Sequence, residues 1–140
     1  MTTLAAHAST ARPNRLARSV AKLDRVPAAL RPWLRNKVMG RAVPFTGTAG
    51  LDFAHMAPER VEIAVANVRR VQNHIQGVHA AAMALLAETA TGMVVGMNVR
   101  DDCLPLAKEL TMAFRKRATG ALKAVATLTP EQQHALHSTD

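Results

Sequence analysis

Apolar positions along this chain fall into one unbroken block flanked by shorter alternating stretches. The block is residues 80–87, eight residues of Ala, Met and Leu. Such residues have strong helix propensity, and Gly92 lies just beyond the block as a natural stop. The pattern predicts a helix over about 77–91 that is apolar all round, which is what a helix wrapped on most sides by protein looks like. Segments 51–55, 61–71, 93–99, 107–117 and 121–128 are alternating or rich in β-formers and predict strands. In the fourth, Leu110, Met112 and Phe114 alternate with Glu109, Thr111, Ala113 and Arg115, giving one apolar face. Thr119-Gly120 then reads as a hairpin turn. The expected class is α+β, an antiparallel sheet curled around one long central helix.

Charge separates the leading segment from the rest. Residues 1–44 hold nine Lys or Arg against Asp24 alone, and the remainder balances nine against nine, so the whole net charge of +8 lies in this segment. Residues 1–14, with Ala, Ser, Thr and Pro and little to bury, are expected to be a disordered tail. Residues 15–44 read as a basic helical extension. Val26, Leu30, Trp33, Leu34 and Val38 lie close to helical spacing and predict packing onto the sheet through Trp33. The main domain is placed at 45–140. A basic arm attracts anions such as coenzyme A phosphates, nucleic acid or lipid head groups, and an Arg-rich, acid-poor start also fits a transit peptide. A solvated, partly helical extension is the simplest reading. With three Phe, one Trp and no Tyr, stacking residues are too scarce to favour nucleic acid.

Composition sets further bounds. A chain of 140 residues makes one domain with a single core. Cys103 is the only cysteine, which excludes an internal disulfide and a cysteine-rich metal site, and a free thiol fits a reducing compartment. The six histidines show no recognised metal spacing, so no metal is expected. Glu88 interrupts the best apolar run, so no membrane span is expected. With no secretory signal visible, the cytoplasm is the expected location. Near the end, Thr129, Pro130 and Gln132 resemble a capped helix start with proline at its first position.

The residues that carry chemistry are Asn73, His79 and Glu88, spaced by six and by nine. Taken singly, a glutamate in an apolar helix is commonly a surface residue, and a histidine at a helix start is commonly a cap. In this order, among these strands, they suggest an acyl-thioester site. The chain from Thr46 to Leu128 resembles the hotdog-fold acyl-CoA thioesterases, specifically the phenylacetyl-CoA thioesterase-like branch and its uncharacterised relatives. That branch runs Asn, then His-Gly-Gly six residues on, then an acidic residue nine after the His; a later strand carries Phe, basic residues, Ala and Gly. Asn73, His79, Glu88, Phe114, Ala118 and Gly120 fall on those positions. The two glycines are Ala80 and Ala81 here, whose methyl groups hold a substrate further from the backbone while leaving the N–H donors in place. Relatives with this pattern usually continue into another pair of strands; either the domain lacks its last strands, which leaves an edge unpaired, or its fold is closed another way.

Nine residues at about 100° each turn through about 900° and advance about 13 Å, which puts Glu88 opposite His79 on the helix. Two chains with antiparallel helices would bring the Glu88 of one to the Asn73 and His79 of the other. The expectation is a homodimer with two composite sites, with a tetramer as a larger assembly. Free N–H groups of the first helical turn, at Ala80 and Ala81, would stabilise the oxyanion of a thioester under attack. Glu88 would act as base for water or as nucleophile. The resemblance implies that Asn73 orients the water and His79 positions the thioester. Gly77, Arg115, Lys116 and Arg117 are expected to bind substrate; the basic cluster suits phosphates, although an exposed strand rim carries such residues too. The implied reaction is hydrolysis of an acyl-CoA or related acyl thioester, with no cofactor beyond the coenzyme A of the substrate. The alternative is a non-catalytic module that binds acyl-CoA or fatty-acyl ligands, favoured by Ala80, Ala81 and the missing strands.

Overall fold

A computed structural model describes residues 12–138. Three helices lead, α1 (Arg15–Leu23), α2 (Arg31–Ala42) and α3 (Pro44–Ala49), followed by strands β1 (Leu51–Ala57) and β2 (Arg60–Val65). The long helix α4 (Ala80–Gly96), strand β3 (Leu122–Thr127) and helix α5 (Pro130–Ser138) complete the order. The architecture is mixed α+β, with one antiparallel sheet of order β1-β2-β3.

Alternation builds the sheet. In β2, Val61, Ile63 and Val65 are fully buried while their neighbours are not. In β1 the inward residues are Leu51, Phe53 and then Met56; the period of two slips because the register with β2 shifts between Asp52 and His55. Helix α4 lies across this face through Ala82, Leu86, Ala90, Met93 and Val94, a stripe of three- and four-residue steps.

The helix is covered on one side only. Ala80, Ala81, Glu88, Thr91 and Gly92 are exposed and Ala84, Leu85 and Ala87 are half-buried, because a three-stranded sheet meets one face of a helix and does not curl round it. The expected helix end at Gly92 is also corrected. Met93 and Val94 extend the buried stripe for another turn, so residues 93–96 are helix rather than strand. Residues 66–71, expected to prolong a strand, leave the sheet after Val65 and form one tight helical turn at Arg69–Val71. Among the described residues, 107–117 pair with no strand, and Leu104, Leu106, Leu110 and Phe114 are exposed. In place of a hairpin at Thr119-Gly120, Ala118 O accepts the Val78 N–H at 2.9 Å and Thr119 O accepts the Asn67 side chain at 2.8 Å. The capped start of α5 is present: Thr129 N–H donates to Gln132 Oε1 at 2.9 Å, and Gln132 N–H returns to Thr129 Oγ1 at 3.3 Å.

Of the segment 1–14, residues 1–11 lie outside the described residues. Asn14 is buried and caps α1, and its Nδ2 reaches Gly96 O at 2.8 Å and Val99 O at 2.7 Å, which fastens the first helix to the end of α4. Helix α2 packs on β1, but not through Trp33, which is 65% exposed. Arg35 and Asn36 bond to β1 instead, and Met39 is buried in the core. The Arg35 guanidinium is buried against Asp24 and the carbonyl oxygens of Phe53 and Ala54, at the point where β1 bulges. A charged, five-donor group suits this place because the bulge leaves carbonyls that the ladder does not use. Helices α2 and α3 cross at Gly40 and Gly47, where an added Cβ on either meets the other's backbone at 3.0 Å.

Candidate functional site

Residues 72–79 form a pinched loop that sets the start of α4. Gln72 and Val78 make an antiparallel bridge, and Asn73 closes the loop from inside. Its backbone N–H donates to Gly77 O at 2.9 Å, while its Oδ1 accepts the N–H groups of Ile75 at 3.1 Å and Gly77 at 3.0 Å. Gln76 takes a left-handed φ of 60° to turn the chain. Gly77 is buried, and a Cβ there would meet Ala118 O at 2.9 Å. Asparagine at 73 is thus committed to the loop through its oxygen; its Nδ2 makes no hydrogen bond among the described residues.

His79 caps α4. Its Nδ1 accepts the Ala81 N–H at 3.0 Å, and its own N–H donates to Val71 O at 2.8 Å. Of the two donors expected for an oxyanion, Ala80 N–H has no acceptor among the described residues, whereas Ala81 N–H is held by the histidine ring. Ala82 N–H, the third of the first turn, is without an acceptor among the described residues as well.

Two clefts flank the helix. The first, about 180 Å³, lies at its N-terminus between α3 and the turn at Arg69–Val71, with His79, Ala49, Val71 and Leu85 as walls and Phe45 and Arg70 at the side. Arg70 Nε donates to Ala49 O at 3.2 Å. Gly50, at φ 69°, makes room for it, since a Cβ would come within 1.9 Å of the guanidinium. The second cleft, about 210 Å³, contains Glu88 with Thr91 and Gly92 on one side and Pro105, Leu106 and Leu110 on the other. No residue lines both. Glu88 is exposed within the single chain; its backbone carbonyl accepts the Thr91 hydroxyl at 3.0 Å, while its carboxylate has no hydrogen-bond or ion-pair partner among the described residues.

The structure therefore gathers Asn73, Gly77, His79, Ala80 and Ala81 at one end of α4 and leaves Glu88 on another face. Arg115 and Lys116 are exposed, and Arg117 reaches the carbonyl of Ile75 on the pinched loop. Phe45, Arg70 and Leu85 were not legible as site residues from sequence. Phe45 arrives from a separate helix, and nothing in its local pattern marks it. Among the described residues no group of three or more His, Cys, Asp or Glu can hold a metal ion, and no helix is long and apolar enough to cross a membrane.

Residues 31–140 match a family model described as a domain of unknown function, DUF4442. The matched span starts at the first residue of α2. No curated protein matches the sequence. Two solved structures share the fold. One, a structural-genomics crystal structure, is 24% identical with a TM-score of 0.68 over 80% of this chain and 74% of its own. The other, a Pseudomonas aeruginosa protein of unknown function described as a probable thioesterase, is 25% identical with a TM-score of 0.66 over 79% of this chain and 72% of its own.

Proposed function

The chain belongs to the DUF4442 family, and we propose that it hydrolyses acyl-CoA or a related acyl thioester at composite sites in a hotdog-fold homodimer. The observation that carries this reading is the placement of His79 and Glu88 on one helix in clefts with no residue in common. A base and an oxyanion site that cannot meet within one chain meet when a second chain lies antiparallel against the first. Residues 104–114 support the same assembly, because their apolar side chains stand exposed beside Glu88 with no strand to pair with. The solved neighbour described as a probable thioesterase adds weight, and the order Asn73, His79, Glu88 resembles the motif of the phenylacetyl-CoA thioesterase-like branch.

In this reaction Glu88 takes a proton from water, and the oxygen attacks the thioester carbonyl carbon. The charge that develops on the carbonyl oxygen falls to the N–H groups of Ala80 and Ala82, strengthened by the start of α4. Collapse of the adduct breaks the C–S bond, and the proton held by Glu88 goes to the departing sulfur. Asn73 Nδ2 is the donor that orients water, and His79 shapes the approach to the helix start. The acyl group takes the cleft between α3 and α4, where Phe45 and Leu85 form the apolar walls. Arg115 and Lys116, with Arg117 bracing the loop, meet the phosphates of coenzyme A. The cytoplasm is the proposed location, where Cys103 stays reduced.

Thiol release from short, long and aromatic acyl-CoAs, with native protein and Glu88→Gln, tests this. Turnover that disappears in the variant while ligand binding persists supports the enzyme. A folded dimer without turnover refutes it and leaves the second reading, an acyl-CoA or fatty-acyl binding module. One observation favours that second reading: Ala81 N–H is occupied by His79, and the methyl groups of Ala80 and Ala81 stand at the helix start.

A further inference from the structure

The outer face of α2 carries an apolar and cationic surface that the thioester site does not use. At about 100° per residue, Leu30, Trp33, Lys37 and Arg41 fall on one side of the helix, with Val38 at its margin. Exposure agrees: Leu30 is 56%, Trp33 65% and Val38 39% accessible, while Arg35 and Met39 on the opposite side are buried. From Arg25 to Leu51 there is no Asp or Glu, and the one acid before it, Asp24, is paired with Arg35. Nothing in this stretch therefore neutralises Lys37 or Arg41.

We propose that this face docks on an anionic lipid surface, with Trp33 and Leu30 entering the headgroup boundary and Lys37 and Arg41 pairing with lipid phosphates. An indole places its apolar body in the interface and its N–H toward water, and long basic side chains lie flat while their charges stay in the headgroups. The acid-free span selects for negative lipid, since each cation near such a surface adds attraction that salt removes. Exposed apolar side chains ringed by like charge repel a second copy of the same face, which argues against self-pairing there. The inference stands whether or not the protein cleaves thioesters.

Trp33 is the only tryptophan in the chain, so its emission reports this face directly. The full chain is mixed with vesicles of phosphatidylcholine alone, or of phosphatidylcholine and phosphatidylglycerol in equal parts, and followed by tryptophan emission and co-sedimentation. The expected result is a blue shift and sedimentation with the anionic vesicles only, reversed by high salt. In Lys37→Glu/Arg41→Glu the partition coefficient falls about tenfold or more. Trp33→Ser lowers sedimentation at unchanged circular dichroism. Emission unmoved by anionic vesicles overturns the proposal, as does emission already blue in their absence that moves red on dilution, which would mean that copies of the chain cover the face. An equal shift with heparin overturns it too. Should the charge-reversed variant fail to fold, the salt series on the native protein decides alone.

Discussion

The imidazole Nδ1 of His79 accepts the backbone N–H of Ala81 at 3.0 Å. One side chain thus caps α4 and occupies a donor that an oxyanion would otherwise take. His79→Ala is expected to lower stability by about 1 kcal/mol through loss of the cap. It also releases Ala81 N–H. If the three first-turn donors work together, kcat for a small acyl-CoA will hold steady or rise while KM worsens, as chemical denaturation and steady-state kinetics will show.

Asn73 anchors its loop through Oδ1, and the proposed water-orienting role falls to its other side-chain atom, Nδ2. Asn73→Ala removes the acceptor of two backbone N–H groups and is expected to cost about 1–3 kcal/mol. Asn73→Asp keeps the acceptor and loses the Nδ2 donor. Stability near that of the native protein with a clear fall in kcat would assign water orientation to Nδ2; equal kcat would leave the residue a loop anchor.

Two glycines separate by surroundings. Gly77→Ala drives a methyl to 2.9 Å from Ala118 O and should cost about 1–3 kcal/mol by urea denaturation. Gly120 has nothing within 4 Å of an added Cβ, and Gly120→Ala should change stability by less than about 0.5 kcal/mol.

Leu110 and Phe114 are 48% and 54% exposed on a segment with no strand partner. Leu110→Arg or Phe114→Asp is expected to turn a dimer into monomer, read by light scattering, and to abolish thiol release at unchanged circular dichroism. A variant that stays dimeric and active would remove this segment from the interface.

Glu62 on β2 receives Lys123 at 3.3 Å and Arg60 at 3.0 Å. The hydrogen bond from Lys123, followed by the charges of Arg60 and Lys123, holds its carboxyl below the usual carboxylate range. A lowered folded pKa means the contribution is present above the unfolded carboxylate value and is lost as pH falls through the folded one. Thermal melts of Glu62→Gln should match native melts at the acid end and fall slightly below them near neutrality. The difference should shrink in salt, as exposed pairs do.

Local pattern carried much of this protein. The propensity of residues 80–87 determined a helix, the alternation of Val61, Ile63 and Val65 determined a buried strand, and Thr129 with Gln132 determined the start of α5, because each signal acts within a few residues. The order Asn73, His79, Glu88 picked out the residues on which the proposed chemistry rests. Tertiary structure decided what local pattern leaves open. Gly92 did not end α4, since Met93 and Val94 gain more by burial against the sheet than the glycine costs. Trp33 faces outward because the opposite side of α2 bonds to β1 through Arg35 and Asn36 where the strand bulges at Asp52–His55. Residues 107–117 alternate like a strand yet pair with none, because alternation specifies a face while pairing needs a neighbouring edge. Contacts between distant residues, such as Phe45 beside His79, depend on how the elements pack, and no short stretch of sequence encodes that.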